Sequence, residues 1–384
     1  MKERLRRGFD AVLGARRAAD ADPEDFFWSL DAPALDAFDP AAPQRFRGIL
    51  IHTRGRTAVG LRARAGDLDL GRCGVDVDRP DLAPFLPVLP IGTRCGWELE
   101  LPPPPARTDA ISFDAILDDG SAERLFEYDL ARARGAREVR ASVAERLATL
   151  PVPPPDLVAL TQGIRDPEAY RASILPGVLN LRRYLAASGA DAARFRAVLD
   201  FGCGSGRLLA GWQLLEPGLA LHGCDLHPDL VAWASASFPP GVELVRNGIA
   251  PPLPWEAGRF DFAWAASVFT HLSVPSQRAW QAELHRVLAP GGLLLVTLHG
   301  GLYVRFLFGE GSARHEAFVR EGHLELGDTG EGSNSCSSFH GPAFAERVFD
   351  RFRLLGRFPA GRVEGRRTLF PVASLQDVYV FAAR

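Results

Sequence analysis

Between residues 198 and 207 the chain reads VLDFGCGSGR. An apolar run ends in a carboxylate, Asp200, and Gly202, Gly204 and Gly206 follow at alternate positions. Glycines there let the backbone turn tightly and approach a ligand, and a helix opening behind them offers free N–H groups. A dinucleotide fingerprint places its third glycine three residues after the second; here Arg207 holds that position and Gly206 falls one early. The spacing argues against a pyrophosphate cradle and toward an adenosyl ligand without phosphate. Residues 221–225, LHGCD, are a second apolar run ending in a carboxylate, 25 residues after Asp200. An acid at the end of a second strand accepts hydrogen bonds from ribose hydroxyls, and Asp225 equally suits the N-terminus of a helix opened by Pro228. His271 and His299 follow two later apolar runs, and an imidazole is the side chain suited to take a proton from a hydroxyl near neutral pH. Tyr303, His315 and His340 lie beyond them.

For these groups to meet, the apolar runs must be strands of one sheet. Residues 197–200, 221–225, 260–269 and 292–298 read as buried strands. Residues 174–187, 207–215, 228–238 and 275–288 have helical spacing, with Trp280, Leu284, Val287 and Leu288 on one face of the last. The alternation predicts a doubly wound α/β sheet, whose carboxyl edge collects the candidate groups. Upstream, residues 46–52, 97–101 and 111–117 read as strands, Asp118-Asp119-Gly120 as a hairpin turn, and residues 136–150 as a helix. The expected organisation is a helical or irregular segment over 1–44, a β-sandwich-like domain over 45–150, and an α/β domain over 151–384 that opens with a stiff proline linker at 151–155. Residues 300–340, long and rich in Gly and Ser, read as a loop suited to close over a substrate.

Taken together, the blocks resemble the class I S-adenosylmethionine-dependent methyltransferases. In order they are VLDFGCGSGR, GCDLHPDLV from Gly223, NGIAPPLPWEAGRFDFAWAASVFTHL from Asn247, RVLAPGGLLLVTLHG from Arg286 and QDVYVFAAR from Gln376. The likeness covers about residues 156–384, and the third block is similar to a bacterial subgroup associated with cell-surface glycan or natural-product assembly. Arg79-Pro80-Asp81, Cys95-Gly96-Trp97 and Asp119-Gly120 are similar to β-sandwich modules attached to bacterial glycosyltransferases. The resemblance implies a Rossmann-like fold and S-adenosylmethionine as cofactor. Asp200 and the loop of Gly202, Cys203, Gly204 and Gly206 would hold the methionine amino end and the ribose side. Asp225 would bind the ribose hydroxyls, with Leu226 against adenine. Asn247 and Gly248 stand where the adenine contact falls, and Gly248 departs from the acid that many members carry there. Ser267 and Val268 would lie beneath the methyl group, with Tyr170 as a lid over the methionine moiety. The implied reaction is O-methylation of a sugar, glycan or other hydroxylated small molecule, with His271 or His299 as base and Tyr303 and His340 at the acceptor. N- or C-methylation in natural-product biosynthesis and a non-catalytic cofactor-binding scaffold stay open.

Composition narrows the field further. The chain has 384 residues, 47% hydrophobic and 24% charged, with a net charge of −3, so no global field draws it to nucleic acid. Lys and Arg total 44, yet Lys2 is the sole lysine. A phosphate-binding loop with its lysine and a lysine Schiff base are both excluded. The five cysteines are scattered without metal-ligand spacing, which fits free thiols in a reducing cytoplasm and no catalytic metal. No apolar stretch is long enough for a transmembrane segment, and the arginine-rich start, with Leu5, Phe9 and Val12 between its basic residues, reads as an amphipathic or solvated terminal helix rather than a signal peptide. The expected partner is a small-molecule or glycan acceptor, with a homo-oligomer left open.

Overall fold

The structure is a computed structural model and describes residues 19–20, 25–33, 37–80, 93–163, 165–327, 330–332, 336–363, 366–367 and 376–384. The arginine-rich start and part of the Arg79-Pro80-Asp81 block lie outside the described residues. Eight strands build an N-terminal sheet: β1 (Ala19–Asp20), β2 (Phe26–Ala32), β3 (Gln44–His52), β4 (Ala58–Ala65), β5 (Leu68–Val77), β6 (Gly96–Leu101), β7 (Ala110–Leu117) and β8 (Ala122–Asp129). Their order is β1-β8-β7-β4-β5-β6-β3-β2, with all neighbours antiparallel except β1 and β8. Trp28 on β2 stacks on Phe126 of β8 at 4.3 Å, so the sheet folds over until its two ends share one core. Period-two alternation on β4 turns Leu61 and Ala63 into that core and Arg62 and Arg64 away from it. On that other face Arg62, Arg64 and Arg124 donate to the fully buried Asp114 carboxylate at 3.0, 3.1 and 2.8 Å.

Two expectations about this half are corrected. Residues 26–32 were expected to be helical or irregular, but they form β2 and pair with β3 throughout. The helix expected from 136 starts six residues earlier, as α1 (Leu130–Thr149), because the Asp129 carboxylate accepts from the Arg132 N–H at 3.0 Å and caps it. This helix buries Leu130 and Ala133 in the N-terminal core and Val143 and Leu147 in the next one. Arg171 closes its far end by donating to the carbonyls of Leu147, Ala148 and Leu150 at 3.2, 2.8 and 2.7 Å. The two cores therefore meet along α1, and the proline run that follows it leads into the helix Pro155–Gln162.

The second half alternates strand and helix: α2 (Pro155–Gln162), α3 (Pro167–Ala187), β9 (Ala197–Phe201), α4 (Arg207–Leu215), β10 (Ala220–Asp225), α5 (Pro228–Ser237), β11 (Glu243–Arg246), β12 (Phe260–Ala265), α6 (Val274–Val287) and β13 (Leu288–His299). An insertion follows, α7 (Gly301–Phe308), α8 (Ala313–Glu321), β14 (His323–Leu326) and β15 (Ser337–His340), then α9 (Pro342–Val348), β16 (Phe352–Phe358), the short pair β17 (Arg362–Val363) and β18 (Arg366–Arg367), and β19 (Gln376–Ala383). The main run of the sheet is β11-β10-β9-β12-β13-β19-β16, parallel up to β13 and antiparallel after it. Val198, Phe262, Trp264 and Leu295 face α3 and α4, whereas Leu199, Phe201, Ala263 and Leu294 face α6 and α9. Burial on both faces explains why these strands read as continuous apolar runs.

The strand expected over 260–269 stops at Ala265, because Ser267 takes a left-handed backbone with φ 61°. The stretch 300–340, expected as one long loop, is instead largely helix and hairpin. The strand β13 outruns β12, and its last residue pairs with Gln376 of β19 on one side and Phe339 of β15 on the other. The hairpin thus takes the place that β12 vacates, at the carboxyl edge. Within the N-terminal core Phe113 is fully buried and stacks on Phe126 at 4.5 Å. Phe113→Ala is expected to destabilise that unit by about 3–5 kcal/mol; an unchanged midpoint in urea unfolding would show that the folded-over sheet does not close around this ring.

Candidate functional site

The carboxyl edge begins with the turn between β9 and α4. Gly202, Gly204 and Gly206 all have positive φ. At Gly204 a side chain is excluded twice, by φ 55° and by the Thr161 methyl on α2, which lies 2.7 Å from where a Cβ would stand. Val268, from the loop after β12, fills the equivalent space beside Gly202. The Asp225 carboxylate then ties the turn to the next strand: one oxygen accepts from the Gly204 N–H at 2.8 Å and the other from the His227 N–H at 2.9 Å. The Cys224 carbonyl accepts from both Gly202 and Cys203, and the Asp225 carbonyl accepts from the Asn247 N–H at 3.1 Å. The ends of β9, β10 and β11 are thereby held in one piece. Each Asp225 oxygen keeps lone-pair capacity for a further donor.

Asp200 lies beneath this loop, 2% exposed. Burial raises its carboxyl well above the ordinary range, the nearby Arg207 opposes that rise, and the Asp225 charge adds to it. Arg207 is itself enclosed and donates to the Ser173 carbonyl at 3.0 Å. Tyr170, expected as a lid over the methionine moiety, is instead 2% exposed on α3 with its hydroxyl 2.9 Å from the Ser205 Oγ. It braces the glycine turn, and burial pushes its phenol up to about 12. The cover over that turn is Thr161, a residue whose sequence context carries no signal for the role. Cys203 is buried in the turn, where burial pushes its thiol well up.

Further along the edge, Asn247 donates through its amide to the Gly248 carbonyl at 2.8 Å, while its Oδ1 is buried without a partner. Leu226 is fixed by Arg246, whose Nε donates to the Leu226 carbonyl at 3.1 Å. The strained Ser267 is held by its neighbours: its N–H donates to the Thr297 hydroxyl at 2.7 Å, and the Gln376 amide donates to its Oγ at 2.5 Å. Thr297 in turn donates to Gln376. Gln376 belongs to a distant strand, and nothing local in the sequence marks it.

The histidines divide into two kinds. The His271 Nδ1 lies 2.9 Å from the Cys336 carbonyl, to which it donates. The His299 ring stacks on Tyr303 at 4.1 Å and 6°, stands edge-on to His271 at 6.3 Å, and has a buried Nδ1 without a partner. Burial lowers its pKa well below the usual value, helped by His271 and His340. Tyr303 is brought to this edge by its stack on His299. His340, expected at the acceptor, is instead fully enclosed and bonded to the Gln277 side chain at 2.9 Å. It holds β15 against α6, and burial and the neighbouring His323 bring it down to about 3. Among the described residues, no group of His, Cys, Asp and Glu is arranged to hold a metal ion, and no helix is long and apolar enough to cross a membrane.

With this geometry in view, comparison with known proteins is informative. Residues 198–292 match a protein family described as "Methyltransferase domain". The chain is 34% identical over 105 residues to 2-methyl-6-phytyl-1,4-hydroquinone methyltransferase of Synechocystis, a match covering 26% of this chain and 30% of that enzyme's length. Among solved structures, it is similar to the 1,6-didemethyltoxoflavin-N1-methyltransferase of Burkholderia thailandensis, at 18% identity over 64% of this chain and 89% of that one, TM-score 0.39. An S-adenosylmethionine-dependent methyltransferase of Methanosarcina mazei is also similar, at 18% identity over 49% and 92%, TM-score 0.36. Strand order and the glycine turn give the α/β half a Rossmann-like fold, and residues 198–292 within it carry the match to the methyltransferase domain family.

The enclosed histidines make stability depend on pH. The His340 pKa in the folded chain lies far below the unfolded value near 6.5, so the unfolded chain takes up its proton first as pH falls. Stability is complete above about 6.5 and declines toward pH 3. Asp200 works in the opposite sense, with or without His340. Urea midpoints at pH 7, 6 and 5 are therefore expected to fall less steeply for His340→Gln than for the parent chain, by up to about 1.4 kcal/mol per pH unit; equal slopes would place the proton uptake elsewhere.

Proposed function

We propose that this chain is an S-adenosylmethionine-dependent methyltransferase whose acceptor is a hydroxyl of a small molecule, with a sugar or glycan as the favoured class. The observation that carries the cofactor half is the Asp225 carboxylate, which is bonded to the glycine turn and still has lone pairs facing the edge. The residues present fit the cofactor. The backbone of residues 202–206 and Asp200 would hold its amino-acid end, Asp225 the ribose hydroxyls, and Leu226 one face of adenine. Gly248 brings no acid to the adenine amino group, but the unpartnered Asn247 Oδ1 is an acceptor at the neighbouring position and takes that role. The Ser267 and Val268 turn lies beneath the methyl-bearing end.

The bound cofactor supplies an electrophilic methyl group on a sulfonium with a neutral leaving group. The protein's task is to align the acceptor and to receive a proton from it. His299 is neutral at physiological pH because of its burial, so it is in the state that accepts a proton. Its low basicity fits late proton transfer, when the acceptor oxygen has already begun to bond. Tyr303 fixes the imidazole plane by stacking on it. The alternative of N- or C-methylation of a ring acceptor is favoured by the aromatic character of this wall, where Tyr303 and Phe339 both flank His299.

Calorimetry with S-adenosylhomocysteine tests the cofactor site. Asp225→Ala is expected to weaken binding about ten- to a hundredfold, the loss of one hydrogen bond to a charged group at about 1.5–3 kcal/mol; equal affinity would mean that the ribose lies elsewhere. A screen with labelled methyl donor against nucleotide sugars and glycans identifies the acceptor. With an acceptor in hand, His299→Gln is expected to lower kcat by about 10²–10⁴ with little change in cofactor affinity. A kcat like that of the parent chain would remove His299 from the chemistry.

A further inference from the structure

The insertion after β13 does more than border the acceptor side. Its return segment is bound to the loop between β12 and α6 at several separate points. The Glu325 carboxylate accepts from the Val274 N–H at 2.6 Å, and the Glu331 carboxylate accepts from the Ser273 N–H at 2.7 Å. Two acids from the insertion thus satisfy free N–H groups at the start of α6, the end of a helix that favours negative charge. The Gly332 N–H donates to the His271 carbonyl at 2.9 Å, and the His271 ring meets the Cys336 carbonyl. These bonds deliver Gly332 to a particular place. A Cβ on it would stand 2.6 Å from Leu226 Cδ1 and 3.2 Å from Ile249 Cδ1, and its φ is 78°. Leu226 follows β10 and Ile249 follows β11, so Gly332 touches both loops at once. Ile249 remains 46% exposed, and its carbonyl is held by the Trp280 indole at 3.0 Å.

We propose that Glu331 and Gly332 belong to the cofactor site: Gly332 closes the outer edge of the adenine subsite by packing against Leu226 and Ile249, and Glu331 is the latch that holds it there. The inference rests on the reading of the edge as an adenosyl-binding site and adds a segment outside the glycine turn to it. A glycine is needed because φ is 78° and any side chain at 332 would press into Leu226 and Ile249. The unpartnered Asn247 Oδ1 lies in the loop that carries Ile249, so a polar contact and an apolar border converge on the same ring. The latch also gives His271 a role separate from proton transfer, since its carbonyl and its ring anchor the segment. Glu331 and Gly332 are positioning and binding residues and need not touch the reacting methyl.

Binding of S-adenosylhomocysteine and of methylthioadenosine, which lacks the amino-acid end, is measured by calorimetry on the full chain. Gly332→Val is expected to weaken both ligands by similar factors of tenfold or more, because the loss falls on the adenosine part they share. Glu331→Gln is expected to weaken both severalfold. In the parent chain, S-adenosylhomocysteine is expected to slow hydrogen exchange in peptides covering residues 330–332, a readout that needs no variant to fold. Parent-like affinity in Gly332→Val alongside weakened binding in Asp225→Ala overturns this inference and leaves the function standing; no binding by the parent chain overturns both. Tighter binding in Gly332→Val or Glu331→Gln is the behaviour of a plug and also overturns it, as does hydrogen exchange that ligand leaves unchanged.

Discussion

The Asp225 carboxylate is the contact on which the candidate site depends. A turn of positive-φ glycines has no side chains to fix it, so its position rests on the hydrogen bonds of its backbone. By accepting from Gly204 and His227, Asp225 pins the turn to β10 and the start of α5 at once. The carbonyl of the same residue accepts from Asn247 and carries the tie to β11. One residue therefore sets the relative position of three strand ends. The surrounding burial serves this arrangement: Tyr170 braces the turn from below through Ser205, and Thr161 closes it from above. An acid that holds the scaffold in this way has its own geometry fixed by the fold, so little ordering of it would be left for a ligand to cost.

Much of this was legible in the chain itself. The turn at 202–206 and the helix from Arg207 to Leu215 fall where the glycine spacing and the apolar run place them, because those signals are local. The strands facing both layers were equally plain, since burial on two sides leaves an unbroken apolar run. What sequence reasoning missed is non-local. Thr161, Gln376 and Gly332 reach the edge from elements far away in the chain, and a lone Thr, Gln or Gly has no pattern to announce it. The enclosure of Tyr170 and His340 was missed for the same reason, as both were placed by position along the chain and not by what packs around them. The insertion misled because its helices are short and separated by glycines, so helical periodicity never accumulates. The early end of β12 is a conformational exception, a left-handed serine held by Thr297 and Gln376.

The histidines illustrate how burial sorts one residue type into different tasks. His340 is enclosed and bonded, and its basicity is largely lost. His299 loses basicity too, but its ring sits at the strand edge, stacked on Tyr303. His271 is fixed through both its main chain and its ring, which makes it an organiser of the edge as much as a group within it.

The helix α7 gives the N-terminal sheet a consequence of its own. One part of this helix sets Tyr303 against His299, and another sets Phe306 against Phe27 at 4.1 Å, in a cluster with Ile49, Ile51 and Cys95 of the sheet. The glycine turn, Asp225 and Asn247 touch none of these residues. The molecule is thus divided in a way that evolution and protein engineering can both exploit: remodelling the sheet surface beneath Phe306 would reshape the wall around His299, while the machinery at the glycine turn is inherited unaltered.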